Sequence, residues 1–346
     1  MNTFTDYLKE KTKKELISLA RLHHMTGYSV LHKNELAEKL GDFLLLPEIL
    51  YSFFVYLGED EFHTFFHYNN SSDPTLLQRL LEGGYCFQQT DGTFVIPEEI
   101  KTSSIFTNSF WKDHKKKSFL ADCLNAAGYL YGCAPVSILL KLYNDNSVYS
   151  LTREQLMKEI YELPDYYNHF IIQNDLIIHK SLYNNNLYQR IQQCQGTLPF
   201  YIPTREEILH LSRYGAFPED TCSRRLSSCL SRLLIIDFSS AQNISRIIQA
   251  IYRQGGSIHD AISCLTNEWK LSSQLSGDKQ LLSALNELFA HTRLMLNRGN
   301  TASEAVHLKK KKTKIYPNSP CPCGSGKKYK NCCGKRKWKP FCYSGS

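Results

Sequence analysis

Apolar residues recur at helical spacing along most of the chain, and short alternating stretches interrupt them at only two places. In "TKKELISLARLHHMTGYSVLHKNELAEKL", Thr12 and Glu15 form a capping box, and Leu16, Leu19 and Ala20 give the first helix its apolar stripe. Gly27 breaks the pattern, and Leu36 and Leu40 resume it at i,i+4, so the unit reads as helix, extended connection, helix. The apolar stretch "DFLLLPEILYSFFVYLG" is cut by Pro47 and Glu48. It falls short of the roughly 20 apolar residues a bilayer span needs and predicts a buried helix pair.

Two alternating runs then flank Thr90-Asp91-Gly92, a hairpin signal, and helices followed by a hairpin predict a winged-helix-like module. The arrangement recurs further on. "SFLADCLNAAGYLYGCAPVSILLKLYN" and "LTREQLMKEIYEL", the latter boxed by Thr152 and Gln155, precede two β-rich runs around Asn174-Asp175. From 204 to about 300 the periodicity is helical throughout, with a box at Thr204 and Glu207 and a last helix closed by Gly299. The expected fold is therefore mainly α and multidomain. Its parts are 1–41 (helix-extended-helix), 42–115 and 116–203 (winged-helix-like α+β modules), 204–306 (helical), 307–318 (basic linker) and 319–346 (a small knuckle and basic tail).

Composition is that of an ordinary globular protein, 42% hydrophobic and 21% charged over 346 residues, but the charge is unevenly placed. Residues 309–339 hold twelve Lys or Arg and no acid; removing those twelve charges from the formal +8 leaves −4 for the rest. The basicity predicts an anionic partner for the tail and not for the whole chain. "MNTFTDYLKEKTKKEL" lacks the apolar run of a secretory signal. Cys86, Cys123, Cys133, Cys194, Cys222, Cys229, Cys264 and Cys342 share no spacing, so they read as reduced thiols of a cytoplasmic protein.

Four cysteines are different. Cys321, Cys323, Cys332 and Cys333 in "SPCPCGSGKKYKNCCGK" have the spacing C-x-C-x8-C-C. A cysteine-rich tail without metal and a disulfide knot are alternatives, but paired thiols with intervening glycines favour one tetrahedral Zn2+, with metal-sulfur distances of roughly 2.3 Å. Four protein ligands leave no position for catalytic water, so the ion would be structural and would supply folding energy that so short a segment lacks. Gly324 and Gly326 permit close wrapping, and Lys327, Lys328 and Lys330 offset the charge of a zinc tetrathiolate. The internal "GSGKK" is not a P-loop, because Cys321 stands at that motif's first position and Lys328 at its last.

"PCPCGSGKKYKNCCG" resembles the SEC-C motif, found at the end of the preprotein-translocase motor ATPase and on many unrelated bacterial proteins. Carried over, Cys321, Cys323, Cys332 and Cys333 are the ligands, with Cys333 where the family accepts Cys or His. The resemblance implies a zinc module that docks onto another protein or the ribosome, not an enzyme; none of the translocase ATPase motifs occur here. Separately, residues 12–40 resemble the SAP-like N-terminal domain of the Rho transcription terminator at Lys13, Lys14, Glu15, Leu16, Ala20, Gly27, Tyr28, Ser29, Leu31, Lys33, Glu35 and Leu36. That resemblance implies nucleic-acid binding, although His23-His24 stands where a more polar helix end is usual.

After the cluster, Lys335, Arg336, Lys337 and Lys339 interleave with Trp338, Phe341 and Tyr343, a pattern suited to neutralising phosphates and stacking on unpaired bases, or to a solvated terminus packed on the knuckle. The candidate recognition helix "LTREQLMKEIYEL" carries three Glu against one Arg and one Lys, a poor match to a DNA groove. No convergent catalytic set is visible. His63 and His67 share a helix face but lack an H-E-x-x-H glutamate and read as partly buried side chains, and Cys133 reads as core. Glu59-Asp60-Glu61, Glu98-Glu99 and Glu206-Glu207 read as helix starts or solvated loops. The expectation is a non-enzymatic zinc-binding protein with no membrane span and no small-molecule substrate. It would contact RNA or a ribosome-like particle through Lys327, Lys328, Lys330, Lys335, Arg336, Lys337, Trp338 and Lys339, with Lys13, Lys14 and Lys33 as a second contact; the alternative is an adaptor for an acidic protein surface.

Overall fold

The computed structural model describes residues 2–69, 73–164, 166–167, 169–183, 187–272, 277–310, 317–319 and 328–331. Among them are eighteen α-helices and five short strands, so the protein is mainly α. The chain divides into a unit of residues 1–302 and a second of residues 303–346.

Local signals set the first helices. α1 (Phe4–Glu10) and α2 (Lys13–Leu22) open with capping boxes at Thr3/Asp6 and Thr12/Glu15. A 3-10 turn at Tyr28–Val30, entered through left-handed Gly27, leads to α3 (Lys33–Leu44). Leu16, Leu19 and Ala20 of α2 and Leu36 and Leu40 of α3 are buried as the periodicity predicts. Pro47 starts α4 (Pro47–Phe54), where its missing N–H costs nothing. The three acidic residues from 59 to 61 occupy the first turn of α5 (Glu59–His67), favourable against the helix dipole.

After α6 (Gln78–Glu82), strands β1 (Phe87–Gln88) and β2 (Phe94–Val95) pair antiparallel around Asp91-Gly92, with Gly92 at φ +86°. α7 (Glu98–Lys101) and the long α8 (Asn108–Tyr131) follow. β3 (Cys133–Pro135), α9 (Val136–Asn146), α10 (Arg153–Tyr161), β4 (Phe170–Gln173) and β5 (Leu176–His179) complete a helix-strand-helix-helix-strand-strand order, with strands arranged β3-β5-β4. Asn174 and Asp175 both have positive φ, the two-residue turn that matches strand twist. β3 pairs with β5 through Cys133↔Ile178, a strand too short to be read from "YGCAPV".

α11 (Lys180–Tyr183), α12 (Leu187–Gln195) and α13 (Arg205–Tyr214) follow, the last opened by the Thr204/Glu207 box. Among the described residues one apolar core runs from Phe4 to Leu211. At its centre the Phe54 ring lies 4.9 Å from Phe65, 5.2 Å from Tyr85 and 5.3 Å from Phe53. A second core joins α14 (Thr221–Leu234), α15 (Phe238–Arg253), α16 (Ile258–Glu268) and α17 (Lys279–His291) through Leu226, Ile248, Leu265 and Leu285. The last of these was expected to run to Gly299. It ends at Thr292, whose hydroxyl donates to the Leu288 carbonyl, and Met295 and Leu296 turn away to pack with Cys133, Ile178 and Ile191.

His23, at the end of α2, is 5% exposed and ringed by Phe53, Tyr85 and Tyr166. Its Nε2–H donates to the Gly83 carbonyl at 2.8 Å. Gly83 is required there, because a Cβ would stand 2.4 Å from the Phe53 ring. Burial lowers the imidazole pKa from 6.5 to about 4. The folded chain therefore keeps a neutral ring while the unfolded chain takes up a proton below pH 6.5, and stability is lost as pH falls from about 6.5 to about 4. That loss is about 3 kcal/mol in all, 1.36 kcal/mol per unit. His23→Gln, which keeps an N–H donor, is expected to flatten this part of the profile. Urea unfolding of both proteins across pH 7 to about 4 checks it, and parallel profiles would refute it.

The second unit contains the helix that begins at the unit boundary, α18 (Ala302–Lys310). The first residues of the expected linker are thus helical. Alanine, glutamate and leucine favour the helix, and lysines suit its C-terminal end.

Candidate metal-binding tail and basic contact residues

In the second unit, the described backbone closes on itself. The Tyr329 N–H donates to the Ser319 carbonyl at 2.8 Å, and the Lys330 N–H donates to the Pro317 carbonyl at 2.9 Å. A 3-10 turn at Tyr329–Asn331 includes an Asn331 N–H bond to the Lys328 carbonyl. The chain leaves this clamp two residues before Cys321 and leaves it again one residue before Cys332. Lys328 and Lys330 are exposed on it. Cys321, Cys323, Lys327, Cys332, Cys333, Lys335, Arg336, Lys337, Trp338 and Lys339 lie outside the described residues.

In the first unit, Lys13 and Lys14 sit in the first turn of α2 and Lys33 opens α3; all three are exposed. The candidate recognition helix, a poor match to a DNA groove by its charges, is α10, and both of its basic residues are ion-paired. Glu159 pairs with Lys117, Arg153 with Asp175 at 2.6 Å, and Lys158 with Glu162 at 3.7 Å. A face already paired in this way offers little free positive charge to phosphates.

Among the described residues no group of three or more His, Cys, Asp or Glu is placed to hold a metal. His63 and His67 lie with ring centroids 4.9 Å apart, and both are exposed, not partly buried as their aromatic surroundings suggested. The described cysteines are all free thiols. Burial pushes Cys133 up to about 11 and Cys86 up to about 12, which suppresses the thiolate and with it nucleophilic or metal-binding use. Cys133 packs in an apolar cluster with Tyr188 and Met295.

Comparison with known proteins returns one family, the SEC-C motif, matched at residues 318–335. All four clustered cysteines fall inside that match. SEC-C is a zinc-binding motif also found in SecA. The chain is 49% identical over 43 residues to protein translocase subunit SecA of Syntrophus aciditrophicus, covering 12% of this chain and 5% of that protein. It is 79% identical over 24 residues to SecA of Finegoldia magna, covering 7% and 3%. A longer match, 35% over 75 residues, is to SecA of Wolinella succinogenes, covering 22% and 8%. The chain thus spans less than a tenth of these relatives. No solved structure matches the chain. No described helix is long and apolar enough to cross a membrane.

The first unit also holds a cavity of about 590 Å³ walled by residues between 125 and 296. One trace of it exists: Arg253 stands at i+4 from Gln249, itself at i+4 from Ser245, on the buried face of α15. An arginine on a buried helical face is the unusual observation.

Proposed function

We propose that this chain is a non-enzymatic docking protein whose C-terminal segment folds around one structural zinc ion held by Cys321, Cys323, Cys332 and Cys333. The observation that carries the reading is the SEC-C match over 318–335, which contains all four thiols and the GSGKKYK core between them. The donor set fits the ion: four thiolates are the ligands of closed structural zinc sites. The Ser319–Tyr329 and Pro317–Lys330 bonds support it further, since they tie together the stretches from which the two cysteine pairs start. The metal supplies folding energy to a segment with little apolar surface to bury. The chain's own lysines do the rest. Lys327, Lys328, Lys330 and the group from Lys335 to Lys339 present positive charge on the folded knuckle, and Lys13, Lys14 and Lys33 add a second basic contact.

The partner is an anionic surface, RNA or a ribosome-like particle, with the central helix-strand modules acting as scaffold because α10 is internally paired. A second reading, an adaptor for an acidic protein surface, draws on the relatives that share the motif, which are named as subunits of a protein translocase. Nuclease separates the two. The tagged full-length protein is captured from native lysate with and without nuclease treatment, and the bound material is identified. Loss of every partner on treatment is the expected result, and a protein partner that persists replaces it with the adaptor reading.

A further inference from the structure

The cavity of the first unit lies among α8, the β4–β5 hairpin, α12, the end of α13 and α15, with Met295 and Leu296 closing one side. Its walls are mainly apolar, with Tyr129, Tyr214, Ile191 and Ile247 among them. Its charged side chains are of one sign: Arg190, Arg246 and Arg253 line it, and no Asp or Glu does among the described residues.

Arg253 is the informative member. It is 2% exposed, and its Nη1 donates to the carbonyl of Gly215, which stands at φ +59° as the left-handed C-cap of α13. Its Nε and Nη2 have no hydrogen-bond partner. None of the ion pairs among the described residues involves it, and burial lowers its pKa to about 10. A buried guanidinium without a counter-ion is costly, and such groups are ordinarily paired. Arg246, at the same cavity, bonds only to the neutral Asn243 Oδ1 at 3.0 Å and lies 4.7 Å over the Tyr214 ring. Two guanidinium groups without a carboxylate partner, beside apolar and aromatic walls, match a ligand that joins an oxyanion to an apolar body. A volume of about 590 Å³ suits a small organic molecule.

We infer that this cavity binds a small organic anion, its phosphate or carboxylate paired with Arg253 and Arg246 and its body against the apolar wall. This site is separate in residues and chemistry from the cysteine tail, and it does not depend on the docking reading. The ligand would supply the missing counter-charge, and its own desolvation is offset by the fixed donors. Arg190, exposed at the cavity, adds attraction to the incoming anion.

The test uses the full-length protein and two pairs of probes, ADP against adenosine and decanoate against decanol, followed by calorimetry. One anion is expected to bind once per chain, with its neutral counterpart about tenfold or more weaker, the scale of a charged hydrogen bond. The arm that binds tells phosphate from carboxylate. Arg253→Met is expected to erase the difference between anion and neutral probe while leaving the unliganded thermal midpoint equal or higher, since it removes an unpaired buried charge. If that variant does not fold, Arg246→Gln and Ile247→Trp, which remove charge and fill the space, take its place with the same expected loss. Binding of neither anion, equal binding of the neutral probes, or binding unchanged in these variants overturns the inference.

Discussion

Full-length protein carrying Cys321→Ser together with Cys323→Ser is expected to lose its bound zinc altogether, while its first unit unfolds as before. Structural zinc in small knuckles contributes an apparent 10–16 kcal/mol at neutral pH, shared among four thiolates, so removing two leaves a site without useful affinity. The effect should stay local. Among the described residues, the cores built on Phe54 and on Ile248 are formed by side chains of the first unit, and the thiols that touch them are buried and protonated. Thermal unfolding of residues 1–302 should therefore shift by no more than the roughly 0.5 kcal/mol of an ordinary surface change. Protease sensitivity after Lys310 should rise sharply. Metal analysis and limited proteolysis of the purified proteins measure both. A double variant that retains one tightly bound zinc refutes the ligand assignment, and collapse of the first unit on chelation places the ion elsewhere.

How much of this could be read from the sequence depended on the range of the interaction involved. Capping boxes at Thr12, Thr152 and Thr204 and the turns at Asp91-Gly92 and Asn174-Asp175 are fixed by residues within three positions of each other, and each forms as its sequence dictates. The cysteine spacing is local in the same way. What the sequence could not convey is set by distant partners. His23 is buried because Gly83, sixty residues later, leaves room for Phe53 and presents a carbonyl. The first core reaches Leu211 because α13 packs on α8, far away along the chain. Arg253 and Arg246 line one cavity with Tyr129 only because α8, α13 and α15 converge on it. Periodicity reports which face of a helix is buried, not which helix will cover it.

Neutralising the end of the tail should have the other large effect. Lys335→Gln, Arg336→Gln, Lys337→Gln and Lys339→Gln together remove four of the twelve positive charges between 309 and 339. If these side chains contact the phosphates of single-stranded RNA, the salt dependence of binding should flatten by about 2.8 in slope, at about 0.7 per contact. Near 0.15 M salt that corresponds to roughly two orders of magnitude in affinity. Trp338→Ala should behave differently, costing about 1–3 kcal/mol with an unchanged slope, because stacking releases no counter-ions. An acidic protein partner predicts another pattern: each exposed ion pair is worth about 0.2–1 kcal/mol, so the loss should be spread over the basic residues with no separate stacking contribution from Trp338. Titrations of the captured partner at several salt concentrations distinguish these cases. A quadruple variant with unaltered affinity and slope would remove residues 335–339 from the interface and leave Lys327, Lys328 and Lys330 of the knuckle, with Lys13, Lys14 and Lys33 of α2 and α3, as the residues to neutralise next.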